Sequence, residues 1–253
     1  MITRRLQVFG LALVGAVLAF GPTAAFAAET QVAVAANFTE PAKEIAAAFK
    51  AATGHTATLS FNSSGQFYAQ MARGAPYEVF LSADADRPKK AEQDGLGVTG
   101  TRFTYAIGRL VLYSKTPGLV DGAGTVLSSG KFNKLSIADP AAAPYGVAAV
   151  QTMQKLGVYN AVKPKIVIGS SITQAFQFVD TGAADLGFVA YSQVINVPGG
   201  SRWLVPATSH APIDQQAILL YTGQNNPAAK AFLAFLKTPA AVAIIKKFGY
   251  EVR

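Results

Sequence analysis

Gln31-Val32-Ala33-Val34-Ala35-Ala36-Asn37-Phe38, followed by a helical pattern over 40–52, decides the fold class of this chain. An apolar run of strand character stops on a small polar residue, and a helix begins at once. The helix sets Ala42, Ile45, Ala46 and Phe49 on one stripe, and Gly54 is placed to cap its end. Asn37 with Glu40 three residues later resembles a capping box, with Asn in place of Ser or Thr. The reading is one βα unit with a polar junction.

The junction recurs. Thr58-Leu59-Ser60-Phe61 breaks at Asn62-Ser63-Ser64-Gly65. Leu135-Ser136-Ile137-Ala138 runs through Asp139-Pro140 to Pro144-Tyr145-Gly146, and Ile166-Val167-Ile168 breaks at Gly169-Ser170-Ser171-Ile172. Helical patterns over 66–73, 147–156 and 172–179 alternate with apolar strands over 79–83 and 186–190. Such alternation predicts an α/β protein with mostly parallel sheets flanked by helices. Two apolar runs, 108–113 and 216–221, are read as the strands by which the chain passes between two lobes. The expected organisation is a leader over 1–27, a first lobe over 28–107 and 214–253, and a second over 108–213. Two short helices, each opened by Pro, are expected over 227–236 and 239–248.

Arg4 and Arg5 head an apolar run, 8–20, that is too short to cross a bilayer, which takes ~20 residues. Ala25-Phe26-Ala27 then has the small-x-small pattern of a cleavage site, so the mature chain is expected to start at Ala28. Thr3-Arg4-Arg5-Leu6-Gln7-Val8 partly mimics a twin-arginine signal, but Gln7 stands where an apolar residue belongs, which favours general secretion. The formal charge of +8 is spread along the chain without a basic run. This describes a solvated surface with a field that favours anions, not a nucleic-acid groove. The chain has no cysteine, which excludes a thiolate nucleophile, a cysteine metal site and the cysteine of a lipoprotein. A free periplasmic protein is the expected product.

No catalytic constellation assembles. His55 and His210 stand alone in loop-like stretches. Ser128-Ser129-Gly130-Lys131 has the Ser-x-x-Lys spacing of some acyl enzymes but lies in a Gly/Ser loop with no companion motif. The run 124–131 resembles a P-loop but has Phe132 where Ser or Thr is required. A periplasmic hydrolase using Ser64 or Ser128 lacks a base partner, so the expectation is a binding protein, not an enzyme.

Each polar junction taken alone is ordinary N-cap duty. Four of them at the ends of buried-type strands mean more. Open α/β sheets bind ligands at the carboxyl ends of their strands, and helix N-termini offer unpaired N–H groups and a positive dipole end to an anion.

On these residues, together with Gly74-Ala75-Pro76-Tyr77-Glu78-Val79-Phe80-Leu81-Ser82-Ala83-Asp84, Asp185-Leu186-Gly187-Phe188-Val189-Ala190 and Ala231-Phe232-Leu233-Ala234-Phe235-Leu236-Lys237, the chain resembles the periplasmic molybdate-binding proteins of ABC transporters, within the type II periplasmic binding proteins. The resemblance implies a two-lobed fold with a two-strand hinge. It also implies an oxyanion, molybdate and with it tungstate, held by Ala36, Asn37, Ser64, Tyr145 and Ile172. Ser64 would give hydroxyl and N–H, and Tyr145 and Ile172 their backbone N–H. Some members carry a ligand tyrosine at the position of Ala190. Here Tyr191 comes one residue later and is not assigned to the site. Further implications are a membrane permease as partner, monomeric action, and no cofactor or direct metal ligand. The same fold serving sulfate or thiosulfate is the nearest alternative.

Overall fold

In the computed structural model the residues described are Ile2 and 27–252, so the leader expected over 1–27 lies outside them except at Ile2 and Ala27. From the amino end, β1 (Glu29–Ala35), α1 (Thr39–Thr53), β2 (Thr56–Asn62), α2 (Ser64–Met71), β3 (Val79–Leu81), α3 (Asp86–Gln93) and β4 (Phe103–Gly108) form a first unit. The second contains β5 (Leu110–Ser114), α4 (Val126–Ser129), β6 (Leu135–Ala138), α5 (Pro144–Lys155) and α6 (Tyr159–Val162). It continues with β7 (Ile166–Gly169), α7 (Ile172–Asp180), β8 (Leu186–Ala190), α8 (Tyr191–Val194) and β9 (Ser201–Leu204). The chain then returns through β10 (Ile213–Leu219), α9 (Pro227–Phe235) and α10 (Pro239–Lys247).

The result is two five-stranded sheets, ordered β2-β1-β3-β10-β4 and β7-β6-β8-β5-β9. In each, three strands pair in parallel, and one strand arriving from the other unit runs against its neighbours: β10 in the first sheet and β5 in the second. This is the mostly parallel, two-lobed architecture expected. Ala42, Ile45 and Phe49 of α1 are fully buried against the first sheet, and Phe49 meets Phe232 of α9 edge-on at 5.2 Å. Burying a side chain the size of Ile45 or Phe49 contributes roughly 1.5–3 kcal/mol by removing it from water. Gly54 ends α1 with φ 75°, its N–H returned to the Lys50 carbonyl at 2.9 Å.

Several local expectations shift. No α-helix starts at Asn37. A single 3-10 turn, Ala36–Phe38, precedes α1, and no capping box forms because the Asn37 side chain is drawn into a tertiary network. The helix expected from 147 begins at Pro144, where a first-turn proline loses no hydrogen bond. The strand expected over 108–113 divides at Arg109 into β4 and β5, and that expected from 216 begins at Ile213. Ser128 lies within the one-turn helix α4 instead of in a loop. Among the described residues no single helix is long and apolar enough to cross a membrane.

Candidate functional site: a neutral cavity at five strand ends

Five strands end around one point. β1 delivers Ala36 and Asn37; β2 delivers Ser63 and Ser64; β3 delivers Ala83; β6 leads to Tyr145 and β7 to Ile172. These residues line one small, partly open cavity between the sheets, and among the described residues no charged side chain lines it. All five residues singled out from sequence are brought together there. Tyr145 and Ile172 are first-turn residues of α5 and α7. Their N–H groups therefore have no acceptor within their own helix. Ser171 caps α7 by accepting from the Gln174 N–H at 3.3 Å, which leaves the Ile172 N–H uncapped at the cavity wall.

Two hydroxyls join these N–H groups. The Ser64 Oγ accepts the Ala83 N–H at 2.9 Å, so the side chain is fixed in place and its own hydrogen remains available to donate. Ser63 was not singled out from sequence. Its hydroxyl lines the cavity, is buried at 3 % exposure and has no hydrogen-bond partner among the described residues. It occupies the N-cap position of α2 yet caps nothing. A buried unpaired hydroxyl costs about 1–3 kcal/mol, and a polar ligand in the cavity would relieve that cost.

Asn37 faces two ways. Its Nδ2 donates to Gln215 Oε1 at 2.8 Å and to the Tyr250 hydroxyl at 2.9 Å, so both amide hydrogens are used. Its carbonyl accepts from the Tyr250 and Ser192 hydroxyls at 2.7 and 2.8 Å. Neither amide hydrogen of Asn37 is left for the cavity. Behind the cavity, burial pushes the hydroxyls of Tyr105 and Tyr145 well above the usual phenol value, and raises Tyr250 to about 12 against the opposing effect of its hydrogen bonds. The network is neutral at physiological pH. Its partners lie 178 and 213 residues from Asn37, beyond any local sequence signal.

The family model for bacterial extracellular solute-binding proteins matches residues 30–251. The chain belongs to that family. It is 58% identical over 226 residues to the molybdate-binding protein ModA of Rhodobacter capsulatus, covering 89% of each chain. To the molybdate-binding protein ModA of Azotobacter vinelandii it is 54% identical over 233 residues, covering 91% of this chain and 92% of the relative. Among solved structures, a periplasmic molybdate-binding protein of Azotobacter vinelandii superposes with a TM-score of 0.86 at 42% identity, covering 88% of this chain and 99% of that one.

In this solute-binding protein the lobes touch over the cavity. The Gly65 N–H of α2 donates to the Ala142 carbonyl of the second lobe at 2.9 Å, and Arg87, ion-paired with Asp84, donates to the Ala141 carbonyl at 3.1 Å. A wider groove outside this contact carries Arg87 and Lys90, but both cations are neutralised, by Asp84 and Asp94. The remaining sequence features stay apart from the cavity. The His55 Nδ1 accepts the Ala28 N–H at 3.0 Å, the exposed Ser128 donates to the Thr125 carbonyl at 2.9 Å, and Tyr191 packs over Gly249. No group of three His, Cys, Asp or Glu able to hold a metal ion occurs among the described residues.

Proposed function

We propose that this protein captures molybdate, and tungstate with it, between its lobes and delivers it to the membrane permease of an ABC transporter. The observation that carries the reading is a small cavity at five strand ends, lined by Asn37, Ser63, Ser64 and the helix-start residues Tyr145 and Ile172 and, among the described residues, by no charged side chain. Its relatives bear the name molybdate-binding protein. The anion is cargo: the N–H groups of Ala36, Asn37, Ser64, Tyr145 and Ile172 would surround it, with the hydroxyls of Ser63 and Ser64. The protein works as an exported periplasmic monomer, needs no cofactor and transforms nothing.

Neutral donors suffice for tight binding. Hydrogen bonds to a charged partner contribute ~1.5–3 kcal/mol each, so seven give roughly 10–21 kcal/mol gross, a range that reaches well past the ~12 kcal/mol of a nanomolar complex before association costs. Among the described residues no carboxylate lines the wall to accept the proton of hydrogen phosphate. Sulfate and molybdate share charge and tetrahedral shape, so the size of the cavity must separate them.

Calorimetric titration of the mature protein with molybdate, tungstate, sulfate and phosphate tests this. One-to-one binding of the first two, with the others silent, is expected. Preference for sulfate would keep the site and change its ligand; silence towards all four would return these helix ends to ordinary caps.

A further inference from the structure

Gln215 lies on β10, the strand returning from the second lobe, and it is completely buried. The register of β10 against β4 shifts between Gln215 and Gln216, and such a bulge re-aims a side chain. The amide it aims inward is used at both ends. Oε1 accepts from the Asn37 Nδ2 at 2.8 Å and from the Tyr105 hydroxyl at 3.0 Å; Nε2 donates to the Tyr145 hydroxyl at 3.3 Å. Gly108 leaves the space, since a Cβ there would collide with both the Tyr145 hydroxyl and the Gln215 amide.

Two of these partners, Asn37 and Tyr145, are also cavity-wall residues, and they come from opposite lobes. Gln215 itself does not line the cavity. We infer that Gln215 is a positioning residue for anion binding: its amide, acceptor end towards Asn37 and donor end towards Tyr145, fixes the two walls relative to each other when the lobes are closed. This rests on the molybdate site proposed above. An amide is suited to the task because it is neutral and offers a donor and an acceptor at once. A carboxylate would lack the donor and set a charge beneath an anion, and an apolar side chain would leave Asn37 and Tyr145 without this link.

The test compares Gln215→Glu with Gln215→Leu in calorimetric titrations with molybdate. A protonated Glu is nearly isosteric with Gln and has the same donor and acceptor ends. The groups around position 215 are the hydroxyls of Tyr105 on β4, Tyr145 on α5 and Tyr250 after α10, with Asp84 acting on Tyr105 from further off. In this dry surrounding the new carboxyl should titrate well above the usual ~4.3. Near pH ~6 the Glu variant should bind within about threefold of wild type while the Leu variant binds at least about tenfold more weakly.

By pH ~9 the Glu variant should also have lost at least about tenfold, with wild type flat over the range. Circular dichroism at both pH values checks folding, and the comparison near pH ~6 stands if the Glu variant unfolds at the alkaline end. Equal affinity of Leu and Glu variants near pH ~6 would overturn the inference alone. Failure of wild type to bind any oxyanion would overturn the site reading, and this inference with it.

Discussion

The backbone N–H of Gly65 meets the carbonyl of Ala142 across the cleft at 2.9 Å, and a Cβ on Gly65 would stand 2.9 Å from the Ala142 Cα and 3.0 Å from its oxygen. Main chain touches main chain here, so neither side can give way by turning a side chain. The closed arrangement of the lobes depends on the missing side chain.

Gly65→Ala should therefore act with opposite signs on two measurements. Within α2, alanine is the better helix former by up to ~1 kcal/mol, so the melting temperature of the ligand-free protein should hold or rise. Closure should suffer, because overpacking costs ~1–3 kcal/mol, which is about fivefold or more in affinity. Calorimetry and a melting curve on the same sample read both. A variant that melts lower and binds normally would show that the contact serves folding instead of closure.

Ser63 and Ser64, adjacent in sequence, should separate in the same pair of measurements. The Ser64 hydroxyl receives the Ala83 N–H, so Ser64→Ala strands a buried donor and should lower both stability and affinity, each by ~1–3 kcal/mol. The Ser63 hydroxyl has no hydrogen-bond partner among the described residues. Ser63→Ala should weaken molybdate by about tenfold while leaving the ligand-free melting temperature unchanged or raised. If Ser63→Ala bound as wild type, its hydroxyl would be a packing defect and not part of the site.

The four strand-to-helix junctions were legible in the sequence because local chemistry makes them. β1, β6 and β7 are largely apolar runs and β2 alternates polar with apolar residues, and what stops each is a short stretch of small, polar or Pro/Gly residues before a helix. That chemistry places Ser64, Tyr145 and Ile172 at helix starts whatever the rest of the chain does. Asn37 shows the limit. By type it reads as a cap, but Gln215 and Tyr250, remote in sequence, compete successfully for its amide. The crossing strands were harder to bound, since Arg109 divides β4 from β5 by tertiary pairing without any turn signal. α3, with Asp86, Arg87, Lys89, Lys90 and Glu92 in eight residues, buries only Pro88 and Ala91 and so carries little apolar period.

Alkaline pH should find the tyrosine network. The Tyr250 hydroxyl titrates at about 12 in the folded protein against 10.0 ordinarily, and Tyr105 and Tyr145 are also raised. Above pH ~10 the unfolded chain gives up these protons while the fold keeps them, so stability falls with pH. Melting temperature should be independent of these groups from neutral pH to ~10, then decline towards ~12. Tyr250→Phe should make that decline shallower. An unchanged slope in the variant would mean that Tyr250 is not held protonated by the fold.

Salt dependence separates the inner cavity from the outer groove. An anion held by N–H and hydroxyl dipoles in a buried site is poorly screened, whereas one resting on the partly exposed Arg87 and Lys90 would be screened efficiently. The chain's positive balance acts at longer range and bears on encounter only. Raising ionic strength from ~0.01 to ~1 M shortens the Debye length from ~30 to ~3 Å. Over that range stopped-flow association rates should fall. Dissociation, the step that breaks the buried hydrogen bonds, should stay nearly constant, so affinity should weaken only as far as the on-rate does. Dissociation that accelerates with salt would instead place the anion against the exposed cations, and the neutral cavity would no longer be the site.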